Sequence, residues 1–216
     1  LLGLFLTFAG CGQKRETVII NPEFDSSNAT DWLQFSRIEL TDTATIVQAD
    51  VYNRPNNWIR FLSGSTLRGS SGKIYKLIGS NGFELDKKVY MPESGNVSFT
   101  VLFEPIDKTE KTIDYYESDN ENDWRIYGIK LYQVQHTESI QCTLKGEVIN
   151  RPQSSRLILL RAGEDARTAN IVYIPIRDGK FEYVLYTDAE KMYELIFYEE
   201  HLHGSWMYID FIAEQE

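Results

Sequence analysis

The sequence NVSFTVLF, residues 96–103, has an apolar side chain at every second position. The residues of this series are Val97, Phe99, Val101 and Phe103. Such alternation is typical of a strand that buries one face in an antiparallel sheet. Residues 140–148 (IQCTLKGEV) repeat the pattern, with Ile140, Cys142, Leu144 and Val148 on the inward face. The two stretches predict an all-β protein.

Further short segments outward from these two also have strand character, and turn signals rich in Gly, Pro, Asn and Ser separate them. The segments are residues 46–51, 58–62, 73–78, 124–131, 157–160, 171–176, 181–186, 193–198 and 207–212. One helix-like piece, residues 187–192 (TDAEKM), is about one to two turns long and begins with capping residues. We expect no other substantial helix.

A polar stretch over residues 132–139 separates the two sets of predicted strands. It predicts an N-terminal β-rich domain over residues 17–134 and a small C-terminal β-sandwich over residues 138–216. Each part is long enough to close a core of its own. The predicted fold is therefore two consecutive antiparallel β-sandwich-like domains, with at most one short helix in the second.

The first sixteen residues have a different character from the rest. Residues 1–10 (LLGLFLTFAG) are apolar but too short to span a bilayer, which needs about 20 residues. Small residues directly before Cys11 resemble the lipobox of bacterial lipoproteins. That resemblance implies a diacylglycerol thioether on Cys11, a signal peptide over residues 1–10 and a lipidated tether over residues 11–16.

Because the chain begins with Leu and has no basic region before the apolar run, we expect the signal peptide to be truncated. The implied location is the bacterial cell envelope, with the protein attached to a membrane, outer or periplasm-facing, through lipidated Cys11. The alternative is that residues 1–11 form a buried strand or helix with a core cysteine.

Net charge and cysteine content exclude several classes of function. The net charge of −10 disfavours nucleic acid and anionic membrane surfaces as partners, since both are bound by basic faces. The two cysteines, Cys11 and Cys142, form neither a Cys-x-x-Cys pair nor a zinc-ligand spacing. We therefore expect no cofactor and no enzyme activity from these residues.

Three segments of the second half resemble the small β-sandwich module of unknown function in Bacteroidetes-type lipoproteins: residues 142–148 (CTLKGEV), 156–160 (RLILL) and 176–183 (IRDGKFEY). In that family the module precedes a thioredoxin/TlpA-like thiol-disulfide interchange domain. In the first half, residues 58–60, 84–86, 90–95 and 101–105 resemble a β-rich region upstream of such modules. The resemblance implies a non-catalytic N-terminal region that recognises or positions a C-terminal thioredoxin-like domain or another protein partner.

Aromatic richness favours an alternative function, a stand-alone glycan- or protein-binding lipoprotein. Trp32, Trp58, Trp124 and Trp206, with thirteen tyrosines, are numerous enough for a sugar-stacking platform. Core and cross-strand packing explains them equally well, because most lie inside predicted strands.

Two further side-chain groups have alternative explanations. His201 and His203 would point to one side of a strand and are weak candidates for metal ligands, while a solvated hairpin loop is the other interpretation. Cys142 lies on an apolar strand face, so we expect a small buried hydrophobe rather than a reactive thiol.

Overall fold

A computed structural model of the protein describes residues 18–132, 134, 139–151, 153–165, 171–204 and 207–214. Within these ranges the regular structure consists of antiparallel strands and one six-residue helix, which confirms the all-β prediction. The elements are β1 (Val18–Ile20), β2 (Ser26–Ser27), β3 (Leu33–Leu40), β4 (Thr45–Tyr52), β5 (Trp58–Ile59), β6 (Thr66–Gly69), β7 (Ile74–Asn81), β8 (Val89–Tyr90), β9 (Asn96–Phe103), β10 (Thr112–Tyr116), β11 (Arg125–Lys130), β12 (Ile140–Glu147), β13 (Arg156–Arg161), β14 (Val172–Pro175), β15 (Lys180–Thr187), β16 (Lys191–Phe197), α1 (Tyr198–His203) and β17 (Tyr208–Ala213).

The N-terminal unit, β1 to β11, contains a nine-stranded sheet in the order β1-β3-β4-β9-β7-β6-β10-β11-β2 and a separate ribbon of β5 and β8. Strand β7 forms the corner of the sheet. Residues 74–76 of β7 pair with β6, and its residues from Leu77 onward pair with β9, with a register shift between Leu77 and Gly79. A strand that changes partners at a bulge lets a sheet turn back on itself and enclose its own core.

The core of the N-terminal unit lies between the two halves of this folded sheet. The Phe35 ring on β3 meets the Tyr115 ring on β10 edge to face, with centroids 5.2 Å apart. These strands are far apart in the sheet order, so their contact shows that the two halves face each other. The predicted inward face of β9 is confirmed, because Phe99, Val101 and Phe103 are all buried.

The C-terminal unit, β12 to β17, is a smaller sandwich of two sheets. One sheet pairs β12 with β15, and the other has the order β14-β13-β16-β17. Leu157 and Leu159 of β13 pack in one core cluster with Leu185 of β15, and Cys142 and Leu144 of β12 pack against that cluster. Alternation in β12 therefore places its apolar side chains between the sheets.

The helix prediction for residues 187–192 is wrong. Thr187 ends β15 and Lys191 begins β16, so these residues form the turn that connects the two sheets. The Thr187 hydroxyl donates to the Ala189 carbonyl at 2.9 Å instead of capping a helical N–H, and Lys191 pairs with Asp188. The helix of this unit lies further along the chain, at α1.

A buried carboxylate, that of Glu110, accepts several hydrogen bonds within the N-terminal unit. Glu110 accepts hydrogen bonds from the hydroxyls of Ser70, at 2.7 Å, and Ser71, and from Tyr75 Oη at 3.4 Å. A Cβ at Gly69 would lie 2.1 Å from Glu110 Oε1, so glycine is needed there for the carboxylate to approach. Burial alone would raise the pKa of Glu110, but the hydrogen bonds from Ser71 and Ser70 outweigh it and hold the pKa below its usual value.

Glu110→Gln tests this arrangement. Because the folded-state pKa lies below the unfolded one, the carboxylate stabilises the fold fully above the unfolded pKa, and that stabilisation is lost as the pH falls through the folded pKa. We expect the variant to lose roughly 1–3 kcal/mol of unfolding free energy at neutral pH. Its stability should also depend less on pH between about pH 5 and pH 3. Urea unfolding across this range measures both effects.

Glu93→Gln, at an exposed position, is the control and should leave the unfolding curve unchanged. Parallel pH dependence in the wild type and Glu110→Gln would contradict the assignment.

Candidate functional site

The interface between the two units begins at β13, which is buried on both faces. Leu157 and Leu159 point into the core between the two sheets of the C-terminal unit. Ile158 and Leu160 point the other way and pack with Tyr173 in a separate cluster. The outer face of this sheet is therefore covered as well, and the N-terminal unit contributes to that cover.

Arg156, the first residue of β13, lies on this outer face and is only 1% exposed. Its guanidinium carbon lies 4.2 Å from the ring centroid of Tyr52, 4.2 Å from that of Tyr173 and 3.8 Å from that of Tyr198. Tyr52 ends β4 of the N-terminal unit, whereas Tyr173 and Tyr198 belong to the C-terminal unit. We call this arrangement of Arg156, the three tyrosines and Asp31 the Arg156 cage.

Asp31 connects the cage to the N-terminal unit by two hydrogen bonds. Arg156 Nη2 donates to the Asp31 carbonyl at 3.0 Å, and Tyr173 Oη donates to Asp31 Oδ1 at 2.5 Å. The Nε and Nη1 atoms of Arg156 are buried and have no hydrogen-bond partner among the described residues. The three tyrosine rings, rather than hydrogen-bond acceptors, thus make most of the contacts with the guanidinium.

The energies in the cage oppose one another. Three desolvated cation–π contacts contribute about 2 kcal/mol each, whereas desolvation of the guanidinium costs several kcal/mol and its two unpaired buried donors cost roughly 1–3 kcal/mol each. Net stabilisation is therefore modest, but the geometry is demanding, because any shift of one unit loses ring contacts while the guanidinium stays out of water. The cage fixes orientation more than it adds stability.

Two tyrosines of the cage, Tyr52 and Tyr173, remain protonated at neutral pH. Burial raises the pKa of Tyr173, and its hydrogen bond to Asp31 raises it further. Burial likewise raises the pKa of Tyr52, with the charge of Asp50 adding to the effect. Both phenols therefore keep their protons and serve as neutral rings around the guanidinium.

A second interaction between the units, an ion pair, starts from the same face of β4. Asp50, two residues before Tyr52, is buried, accepts a hydrogen bond from Ser98 Oγ at 2.5 Å and forms an ion pair with Arg177 of the C-terminal unit. The C-terminal unit therefore covers the end of this face, whereas Gln48 in the middle of β4 is exposed.

Two clefts involve both units. A polar cleft of about 600 Å³ has hydroxyl, amide and guanidinium groups on its walls, which suit hydrogen bonding to a polar ligand. Its polar side chains include Ser94, Asn96, Ser98, Asn150, Arg151 and Ser154. A second recess of about 270 Å³ is more aromatic and includes Phe24, Phe35, Tyr173 and Tyr183.

The tryptophans divide between core and surface. Trp124 packs against the core of the N-terminal unit, and Trp206 lies outside the described residues. Trp58 is 42% exposed and Trp32 is 43% exposed. Trp58 lies directly opposite Tyr90 in the β5–β8 ribbon, and Tyr90 is 65% exposed.

The ribbon around Trp58 also carries polar groups. Lys88 Nζ lies 4.3 Å from the Trp58 ring centroid. The Asn53 side-chain amide donates to the Trp58 carbonyl at 3.1 Å and its oxygen accepts from Asn57 at 3.2 Å. An exposed aromatic pair flanked by amides and an ammonium group can stack on a sugar ring and hydrogen-bond its hydroxyls.

The residues singled out from the sequence do not converge on one site. Cys11 lies outside the described residues. Cys142 is a free thiol, half-buried against the core of the C-terminal unit. His201 and His203 lie in α1, the short helix that connects the antiparallel partners β16 and β17, and residues two apart on a helix face different directions. The strand geometry expected for this histidine pair is therefore wrong, whereas the pair does lie in the connection of a β-hairpin.

The described residues bring together no group of three or more His, Cys, Asp or Glu side chains that suits a metal ion. They also include no helix with the length and apolar character needed to span a bilayer.

Sequence reasoning missed the Arg156 cage. Asp31, Tyr52, Arg156 and Tyr173 are widely separated in sequence and meet only after both units fold. One signal was present, because residues 157–160 (LILL) do not alternate. A continuous apolar strand is buried on both faces, so a basic residue at its start must lie near an interface.

Comparisons with known proteins do not identify the chain. No family model and no curated protein matches the sequence. Two crystal structures of pullulanase from Anoxybacillus sp. LM18-11, one in complex with maltotriose, are similar at 12% identity and a TM-score of 0.23. The match covers 78% of this chain and 24% of the pullulanase chain, so the chain spans about a quarter of the pullulanase length. A TM-score this low does not establish a shared architecture.

Arg156→Ala tests the cage. The variant loses three ring contacts and leaves a cavity but also removes two unpaired buried donors, so the protein should be destabilised by only about 2 kcal/mol. Because each unit has its own core, we expect calorimetry to show one unfolding transition for the wild type and two for the variant. Tyr173→Phe, which keeps the ring but loses the bond to Asp31, should cost only about 1 kcal/mol.

The matched control is Arg161→Ala, at the exposed end of the same strand. Equal effects of Arg156→Ala and Arg161→Ala would rule out a special role for the cage.

Proposed function

We propose that this chain is the membrane-anchored, non-catalytic N-terminal region of a thiol-disulfide interchange protein, and that it positions a thioredoxin-like domain or another protein partner. The main observation in support of the proposal is a pair of interactions between the units that start from one face of β4. Tyr52 makes a cation–π contact with Arg156, and Asp50 forms an ion pair with Arg177. Two cores held by buried, directional contacts act as one rigid spacer.

The sequence supports the anchor in this proposal. The apolar run over residues 1–10, the small residues before Cys11 and the polar stretch after it resemble a lipoprotein leader. A lipid on Cys11 would hold the spacer on a membrane of the bacterial cell envelope, and two or three acyl chains make such attachment durable.

The redox partner in this proposal rests on the resemblance of residues 142–148, 156–160 and 176–183 to modules that precede thioredoxin-like domains. Dithiol exchange needs two neighbouring cysteines, one with a lowered thiol pKa. Cys11 and Cys142 are the only cysteines of the sequence and are far apart, and Cys142 packs against a core. The role proposed for these residues is therefore structural.

A second candidate function is a glycan-binding lipoprotein, which the exposed Trp58 and Tyr90 pair favours. Cross-strand partners project from the same face of a ribbon, so both rings lie on one surface, where a sugar ring would compete with the Lys88 ammonium for the face of Trp58 that it covers. Stacking of sugar rings on exposed aromatic faces would then supply the affinity.

Metabolic labelling with a radioactive fatty acid tests the anchor. We expect the wild type to incorporate label and Cys11→Ala to incorporate none, because only the Cys11 sulfur can form the thioether. Cys142→Ala is the matched control and should incorporate label as the wild type does. Incorporation that survives Cys11→Ala removes the lipid anchor from the proposal.

The DNA that flanks this segment tests the redox role separately. A reading frame that continues past Glu216 into a thioredoxin-like sequence supports the positioning function. A frame that stops there contradicts it and leaves the second candidate.

Trp58→Ala tests the second candidate. With a panel of soluble polysaccharides in affinity electrophoresis, we expect at least one to retard the wild type and the variant to lose about tenfold in affinity, the value of one aromatic stack. Trp32→Ala, equally exposed, is the control and should retain binding. No retardation by any polysaccharide, or equal losses in both variants, would contradict a glycan site on this ribbon.

A further inference from the structure

Among the described residues, the β16–β17 end of the C-terminal sandwich carries six exposed apolar side chains, of which Met192, Tyr208 and Ile212 share one face of the sheet. Each member of this group is at least half exposed. The group consists of Met192, Leu202, Met207, Tyr208, Ile209 and Ile212. Scattered exposed apolar residues are common on proteins, whereas a concentration of them marks an interaction surface.

Strand β17 is an edge strand. It pairs with β16 continuously from Tyr208 opposite Ile196 to Ala213 opposite Lys191, without a bulge, and no described strand pairs with its other edge. Proteins usually protect such edges with lysine, proline or a bulge. β17 (YIDFIA) has none of these, and no other strand of the described ranges is hydrogen-bonded to its outer edge.

The face of β17 that carries Tyr208, Asp210 and Ile212 favours a partner with a basic side chain. Asp210 lies directly opposite Glu194, and the apolar pairs Met192–Ile212 and Ile196–Tyr208 flank these carboxylates on the same face. Like charges opposite each other in a sheet are unfavourable. A strand that brings a basic side chain opposite Asp210 would neutralise this pair and place its own apolar side chains beside Tyr208 and Ile212.

This face continues the buried outer face of β13 and β16. Ile196 on β16 is fully buried, whereas Tyr208 opposite it is exposed. The covered area therefore stops between β16 and β17, and a further strand would extend it outward.

We propose that the free edge of β17 binds an extended segment of a protein partner by strand addition, and that this segment has an apolar–x–basic–x–apolar pattern. Main-chain hydrogen bonds to β17 supply affinity, and the alternate side chains supply specificity. A second copy of this chain fits less well, because β17 has no basic residue to place against Asp210 and Glu194. The inference stands independently of the lipid anchor and of the redox partner.

The first test uses fluorescein-labelled heptapeptides and the full chain, with binding followed by fluorescence anisotropy. The peptide Thr-Ile-Thr-Lys-Thr-Ile-Thr should bind about tenfold more tightly than Thr-Ile-Thr-Glu-Thr-Ile-Thr, and raised salt should reduce this difference. Equal binding of the two peptides overturns the proposed charge preference.

N-methylated versions of the lysine peptide test the binding mode. In an added strand only alternate N–H groups face β17. Methylation of one alternate set should abolish binding, and methylation of the other should leave it intact. If neither set matters, the peptide binds without strand addition and the proposal fails.

Variants of the chain locate the site. Asp210→Lys should reverse the preference so that the glutamate peptide binds more tightly. Asp42→Lys, a matched change at an exposed position of the N-terminal unit, should leave the preference unchanged. If Asp210→Lys does not fold, Asp210→Asn is used instead, and it should weaken the binding of the lysine peptide. Unchanged preference in the Asp210 variant, or dimerisation that displaces the peptide, overturns the inference.

Discussion

The removal of the Arg156 guanidinium from water is the constraint on which the arrangement of the two units depends. A buried cation is tolerated only where other groups replace its hydration, and here one backbone carbonyl and three tyrosine rings do so. Since Tyr52 and Asp31 belong to the N-terminal unit, neither unit can complete the cage alone. The cost of leaving Arg156 uncompensated therefore couples two cores that otherwise have separate apolar contacts.

Strand β4 positions the side chains of the N-terminal unit that contact Arg156 and Arg177. It lies inside the nine-stranded sheet, between β3 and β9, so its position is set by pairing on both sides. Asp50 and Tyr52 project from one face at its end and make the two ties to the C-terminal unit. A central strand moves less than an edge strand or a loop, because its hydrogen bonds run to both neighbours. Both contacts with the C-terminal unit thus start from a strand that is hydrogen-bonded on each side.

Local patterning in the sequence predicted the all-β class and most long strands, and it failed where the pattern is interrupted or where distant residues meet. Residues 96–103 match β9 from end to end because its alternation is unbroken. β3 was missed, since its register shifts between Phe35 and Arg37 and the buried residues change phase before Ile38. Residues 187–192 suggested a helix cap, but the Thr187 hydroxyl bonds to a turn carbonyl instead. The cage could not be predicted, because no local pattern places Asp31 beside Arg156.

The distribution of charged side chains affects both the interface between the units and the exposed edge of β17. The chain carries ten more acidic than basic side chains, yet three arginines lie at or beside the interface, where Arg177 pairs with Asp50 and Arg151 pairs with Glu199 and Glu200. Arg177 and Arg151 are therefore neutralised by carboxylates within the molecule, and the acidic excess of the chain remains among its other side chains. Asp210 on the open edge of β17 belongs to that excess. Because like charges repel over roughly a Debye length, about 8–10 Å at physiological salt, an approaching acidic segment is disfavoured before contact. Selection by charge and pairing by backbone hydrogen bonds then act at the same edge, and together they favour a basic, extended partner over a second copy of this acidic chain.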